Sequence, residues 1–319
     1  MDRIKKCCFI IIYFGQMPNY FSLFLKSCGK NPTFNWLIFT DDEKEFDYPE
    51  NVQRVLTEFD DIKRKIQSKF EFRISLDQPY KLCDFRPAFG YIFEEYLEEY
   101  RYWGYCDNDL IFGDLEQFLP DELMEQYDKL FCLGHTVIFR NTPENNRLFL
   151  SENWYKEAFT VPENVIFDEC YNNRKNIHDI FLKAGKKVYE KDLSVNFKIL
   201  SAKFVKITFQ SKTRTFESDD RESLYVWDNG KIFRYLMWNG RLQKEEYLYI
   251  HLQERKMKYN TKLLSCDIYK IVPNSFLPLE FAQIDENGFP KIKKRAFNLH
   301  ILQYHCKWKM RKLKRLLKL

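Results

Sequence analysis

The run Cys7–Phe14 is apolar at every position and stops at Gly15. It is too short to cross a bilayer and too continuous for a sheet face open to water. It suits a parallel strand buried on both faces. Arg3, Lys5 and Lys6 precede it, as in a secretory leader, but it runs into Gly15-Gln16-Met17-Pro18 without a small-x-small cleavage site, so a first strand is expected. Tyr20, Phe21, Phe24, Leu25 and Cys28 then recur at helical spacing up to Gly29, and Trp36–Phe39 is a second apolar strand before Thr40-Asp41-Asp42. Strand, helix and strand make a βαβ unit, whose sheet gathers ligands at the carboxyl ends of its strands.

Later segments extend this plan. Residues 43–83 are charged and irregular, with room for short helices. A helix is expected from Asp84, capped by that residue, with Pro87 in its first turn and a stripe of Phe85, Phe89, Ile92, Phe93, Tyr96, Leu97 and Tyr100. Strands follow at Trp103–Cys106, Leu133–Arg140 and Lys187–Glu190, with helices at 143–157 and 175–184. From about Asn196 the pattern changes. Asp228-Asn229-Gly230 and Trp238-Asn239-Gly240 are hairpin turns between aromatic and β-branched runs, so Ser223–Ile250 reads as a small antiparallel meander. The expected division is an α/β domain over 1–195, a β meander over 196–270 and a basic C-terminal segment over 271–319.

Hydrophobic residues make up 45% of the chain and aromatics 18%, which excludes a disordered protein. The net charge of +5 is unevenly placed. Eleven Lys/Arg and no Asp or Glu lie between Asn287 and Leu319, leaving a mildly acidic body. Basic residues are therefore not interleaved with aromatics through the body, and no nucleic-acid partner is expected. The nine cysteines form no Cys-x-x-Cys pair and mostly sit in apolar runs. They read as reduced, buried thiols of a cytoplasmic protein rather than a disulfide framework or a zinc site.

The chemistry centres on Asp107-Asn108-Asp109, which an apolar strand enters and an apolar segment leaves. In extended chain, residues i and i+2 share a side, so Asp107 and Asp109 project together. Two hard carboxylates at a strand end can hold Mg²⁺ or Mn²⁺ with a diphosphate, or can simply form an acidic turn. His251 follows another apolar strand and is a candidate third ligand, with Arg255 and Lys256 placed to screen phosphates. Asp84 and Arg86 lie at a helix start that favours an anion; a cap and its packing neighbour is the alternative. Asp168 and Glu169 precede a helical stretch, where a carboxylate can act as general base or only favour the helix dipole.

In the tail, Leu299, Leu302, Cys306, Met310, Leu313 and Leu317 fall on one helical face, and Lys307, Arg311, Lys314 and Lys318 on the other. Such a helix suits an anionic membrane surface; docking on the protein is the alternative.

Thr40-Asp41-Asp42, Lys81-x-Cys83-Asp84-x-Arg86-Pro87-x-x-Gly90, Trp103-Gly104-x-x-Asp107-x-Asp109 and His251-x-Gln253-x-Arg255-Lys256-Met257 occur in one order. Together they resemble a family of bacterial glycosyltransferases encoded with capsule, O-antigen and other surface-polysaccharide genes. The resemblance spans roughly residues 5–260 and implies a GT-A-like fold, a Rossmann-type mixed sheet with flanking helices. It implies Mn²⁺ or Mg²⁺ on Asp107, Asp109 and His251, and nucleotide contacts at Gly15, Asp41, Asp84, Arg86, Asn108, Arg255 and Lys256. Asp168 and Glu169 are similar to the acidic acceptor-side element of inverting members. The expected partners are a UDP- or GDP-sugar donor and a glycan or lipid-linked acceptor, with the chain peripheral on the inner face of the cytoplasmic membrane. A non-catalytic membrane-associated scaffold and a sugar nucleotidyltransferase are the alternatives; the absence of a Gly-rich phosphate loop after the first strand counts against the latter.

Overall fold

The computed structural model describes residues 4–170, 174–197, 204–210, 213–216, 222–253, 255–281 and 283–296, and the helical positions Leu302, Gln303, Cys306, Lys309 and Met310. The basic amphipathic helix expected over 299–319 lies, apart from those five exposed positions, outside the described residues. Among the described residues no helix is long and apolar enough to cross a membrane.

The opening run forms β1 (Lys5–Ile12), an interior strand of a seven-stranded sheet. Parallel to it lie β2 (Phe34–Thr40) and then β3 (Val52–Leu56) on one side, and β4 (Tyr100–Cys106) on the other. The sheet continues through β7 (Thr136–Arg140), antiparallel to β4, then β6 (Lys129–Leu130) and β8 (Val188–Tyr189). This is the mixed α/β architecture expected from the sequence. One face packs Ile10, Leu37, Trp103 and Phe139 against Phe85, Phe89, Phe159 and Phe181; the other packs Phe9, Trp36 and Ile38 against Phe21, Phe24 and Phe112. Burial on both faces is why the central strands read as unbroken apolar runs.

A second sheet has the order β11 (Thr213–Phe216), β10 (Lys206–Gln210), β9 (Ser194–Phe197), β15 (Tyr249–His251), β5 (Leu110–Phe112). The third is an antiparallel meander of β14 (Arg241–Tyr247), β13 (Lys231–Trp238), β12 (Ser223–Asp228), β16 (Ile268–Val272) and β17 (Ser275–Leu277). Its two tight turns carry Asn229-Gly230 and Asn239-Gly240 with positive φ at all four residues, the backbone that right-twisted hairpins require. The meander expected over Ser223–Ile250 is thus present, except that Tyr249 and Ile250 leave it for the second sheet.

The long helix expected from Asp84 is not continuous. Residues 79–96 form consecutive single turns, helical over Leu82–Phe85 and Phe89–Ile92 and 3₁₀ over Pro79–Lys81, Arg86–Ala88 and Glu94–Tyr96. Pro87 lacks the N–H that would continue the helix, and Asp84 is spent elsewhere than on a cap. The helix expected over 143–157 is likewise split into Pro143–Arg147, a 3₁₀ turn at Leu148–Ser151, and Trp154–Thr160.

Candidate active site

Strand β4 delivers Asp107-Asn108-Asp109 to the carboxyl end of the sheet, and the chain turns at once into β5. Asp107 and Asp109 come together as the sequence implied, although Asn108 and Asp109 lie in a bend between the two strands rather than in extended chain. Asn108 is buried, its Nδ2 donating to Met17 Sδ at 3.4 Å. The turn is fixed on both flanks: the Asp107 N–H donates to the His135 carbonyl (3.1 Å), and the Leu252 N–H donates to the Asp109 carbonyl (3.1 Å).

His251 arrives by strand pairing. β15 runs antiparallel to β5 with His251 opposite Leu110, so the residue after Asp109 sets the register that places the imidazole. Its Nε2 lies 3.3 Å from Asp109 Oδ1 and 3.7 Å from Asp107 Oδ2. One ligand atom from each residue lies within 4.8 Å of the others. Burial disfavours the charged imidazole, but the Asp109 and Asp107 carboxylates outweigh it and the His251 pKa is raised. Two carboxylate oxygens and one imidazole nitrogen gathered on one side form a donor set suited to Mn²⁺ or Mg²⁺, so the residues fit the metal.

Sequence reasoning passed over the support beneath this cluster. The His135 ring lies against His251 with centroids 4.5 Å apart, and His135 Nδ1 shares a 2.7 Å hydrogen bond with Tyr249 Oη. Tyr249 stands two residues before His251 on the same strand, a signal legible in its alternation. His135 gave none.

Arg86 links this cluster to the acidic pair Asp168–Glu169. It donates to Asp107 Oδ1 (2.6 Å), to Asp168 Oδ2 (3.3 Å) and to the Gly134 carbonyl (3.0 Å), over the Tyr105 ring. Space is tight here, because a Cβ at Gly134 would stand 3.0 Å from Asp168 Oδ2. Asp168 is buried and its carbonyl accepts the Tyr105 hydroxyl (2.9 Å). Burial pushes its carboxyl up to about 7, with Arg86 pulling the other way and Glu169 reinforcing the rise. A carboxyl poised there exchanges protons near neutral pH. Glu169, half-buried, is its neighbour. The helix expected over 175–184 is Ile177–Lys183, capped by Asn176, and Asp168 and Glu169 lie in a turn ahead of it rather than in its first turn.

The loop after β1 carries the other predicted contacts. The Gly15 N–H donates to Asp41 Oδ1 (2.6 Å) and the Met17 N–H to Asp42 Oδ2 (2.9 Å), with Gly15 at φ +97°. Asp41 thus braces the loop that contacts Asn108 through Met17. Asp84 is fully enclosed. Its Oδ2 accepts from Lys81 Nζ (2.8 Å) and the Val165 N–H (2.9 Å), and its Oδ1 from the Phe167 N–H (2.9 Å). Contact with a nucleotide requires that loop to unfasten. Arg255 is buried with its guanidinium over Phe204, burial lowering its pKa to about 10, still a cation at neutral pH; Lys256 is exposed.

Fold and site together define a mixed α/β protein with a carboxylate–imidazole cluster at the carboxyl edge of its main sheet. The chain belongs to the family of unknown function DUF6625, which it matches over residues 9–280. No curated protein sequence matches it. Among solved structures it is similar to the galactosyltransferase LgtC in complex with donor and acceptor sugar analogues, at TM-score 0.35 and 9% identity over 60% of this chain and 75% of that one. An active-site mutant of LgtC gives TM-score 0.32 and 10% identity over 60% and 74%. With likenesses this slight, the fold class rests on the strand order itself.

Proposed function

We propose that this protein is a metal-dependent glycosyltransferase of GT-A-like fold, moving a hexosyl group from a UDP- or GDP-sugar to a glycan or lipid-linked acceptor. The observation that carries the reading is the convergence of Asp107, Asp109 and His251 on one point at the carboxyl edge of the sheet. These three residues would hold Mn²⁺ or Mg²⁺, which supplies positive charge to a departing diphosphate. Asn108 and Met17 lock the turn, while Gly15 and Asp41 shape the loop assigned to the nucleotide. Arg255 and Lys256 follow His251 and add cationic charge toward the phosphates. On the opposite side of Arg86, Asp168 takes the proton of the acceptor hydroxyl, and Glu169 helps keep its basicity near neutrality. The basic C-terminal sequence supports a place at an anionic membrane surface, where lipid-linked acceptors of capsule or lipopolysaccharide synthesis reside.

The test is hydrolysis of UDP-, GDP- and CMP-sugars by the purified protein with Mn²⁺, with EDTA, and in Asp109→Ala. Turnover of one donor, abolished by both the chelator and the substitution, supports the reading. If no nucleotide binds in the presence of metal, a non-catalytic scaffold is the better account.

A further inference from the structure

Residues 163–168 form a short irregular loop in which three successive amides, those of Val165, Ile166 and Phe167, are taken by side chains, and the Glu163, Phe167 and Asp168 carbonyls by groups elsewhere in the fold. The Val165 and Phe167 N–H groups donate to the two oxygens of Asp84, and the Ile166 N–H between them donates to Asn164 Oδ1 (2.8 Å). Ile166 has φ +61°, a left-handed conformation that a β-branched side chain adopts only when its surroundings impose it. Lys81 closes the arrangement. Its ammonium donates to Asp84 Oδ2 (2.8 Å), to the Ala158 carbonyl (2.7 Å) and to the Glu163 carbonyl (2.6 Å), so all three of its protons are used. Downstream, the Phe167 carbonyl accepts from the Ile177 N–H (2.9 Å) and the Asp168 carbonyl from Tyr105.

We infer that the buried Lys81–Asp84 pair is a positioning device, a clamp that holds the strained 163–167 loop so that Asp168 is presented to Arg86. Asp84 and Arg86 leave the same pair of short turns, Leu82–Phe85 and Arg86–Ala88. Asp84 grips the backbone of the loop, whereas Arg86 grips its carboxylate and, with its other nitrogen, Asp107. One rigid turn therefore sets the separation between the metal-side carboxylate and the acceptor-side carboxylate. A buried ion pair is costly to keep unless its remaining hydrogen-bonding groups are satisfied, and here the loop amides satisfy them. The catalytic consequence rests on the role proposed above for Asp168; the clamp itself does not.

The first test is amide hydrogen exchange on the full chain. In Asp84→Asn, exchange of the Val165, Ile166 and Phe167 amides rises at least about tenfold, while amides of β1 and β4 stay within about twofold. Affinity for Mn²⁺ with UDP or GDP is retained, and donor hydrolysis falls about tenfold, with no further loss when Asp168→Asn is added. Asn164→Ala, a milder change in a half-exposed residue, raises the same three amides about threefold and keeps the inference testable should Asp84→Asn fail to fold. Unchanged exchange at those amides in the soluble variants overturns the clamp. So does loss of nucleotide affinity in step with turnover, which makes Asp84 a direct contact. If exchange rises locally while Asp168→Asn keeps full turnover, the clamp stands and the base assignment falls.

Discussion

Substituting Gly90 by alanine perturbs the packing that carries β4 to the site. A Cβ at Gly90 would stand 2.3, 2.4 and 2.5 Å from Cε2, Nε1 and Cζ2 of Trp103, so the indole has to retreat by about 1 Å to reach ordinary contact. It has no room to do so. Trp103 is fully buried, stacks on Phe139 with centroids 4.5 Å apart, and donates from Nε1 to Asn146 Oδ1 at 2.7 Å. Overpacking a core costs about 1–3 kcal/mol. Stranding the indole N–H adds a further ~1–3 kcal/mol if the bond is lost. Replacing glycine in a helical turn returns up to about 1 kcal/mol. The net expectation is a loss of about 2–4 kcal/mol, read as a lower urea midpoint at unchanged slope. Asn146→Ala should couple to it, because both act on one indole. A loss below about 0.5 kcal/mol would show that the 89–92 turn slides freely over β4, and the reasoning would be refuted.

Three further expectations concern charge and thiols. Asp168 is raised to about 7, so its neutral form is the one the fold prefers. Its contribution is full below the unfolded value near 3.8 and is lost as pH rises through about 7; the difference between wild type and Asp168→Asn should change over that window by up to about 4 kcal/mol, measured by urea unfolding across pH. In the base role proposed for it Asp168 would act only when ionised, so donor turnover should rise with pH to half its plateau near pH 7, and a profile flat from pH 5 to 8 contradicts the assignment. Maleimide labelling of the native protein at neutral pH should mark exposed Cys306 first and leave Cys7, Cys8, Cys28, Cys106, Cys132 and Cys170 unreacted until denaturation. Cys83, half-buried with its thiol pushed up to about 12 by burial, should also be slow, and fast labelling there would show that the 82–85 turn opens.

The fold was legible where one local pattern dominates. Cys7–Phe14 reads as a buried strand from its unbroken apolar run, and the strand is Lys5–Ile12, while Asn229-Gly230 and Asn239-Gly240 read as hairpin turns because both residues of each pair tolerate positive φ. The i, i+2 spacing named Asp107 and Asp109 as partners, and a bend over Asn108 and Asp109 brings them together. The residues that long-range pairing positions were much harder to read. His251 was recognisable as a candidate, but its route to the carboxylates runs through the β5–β15 register, which no local spacing encodes. Asp84 illustrates the reverse case. Its place before an apolar stripe and a proline has the form of a helix cap, yet the amides of Val165 and Phe167 compete for its carboxylate and win. His135 was silent because its importance comes from what folds against it, and Lys81 was legible only as a member of the Lys81-x-Cys83-Asp84 motif, its grip on the Glu163 carbonyl being a long-range contact.

The central claim, that Asp107, Asp109 and His251 hold a divalent cation which receives a nucleoside diphosphate, is tested most directly by titrating Mn²⁺ into the purified protein, with and without UDP or GDP, and following the free ion by electron paramagnetic resonance. The account predicts binding of Mn²⁺ that one nucleotide tightens, and loss of at least about tenfold in affinity in both Asp109→Asn and His251→Ala. Equal Mn²⁺ affinity in the wild type and both variants, or nucleotide binding indifferent to the metal, would contradict it.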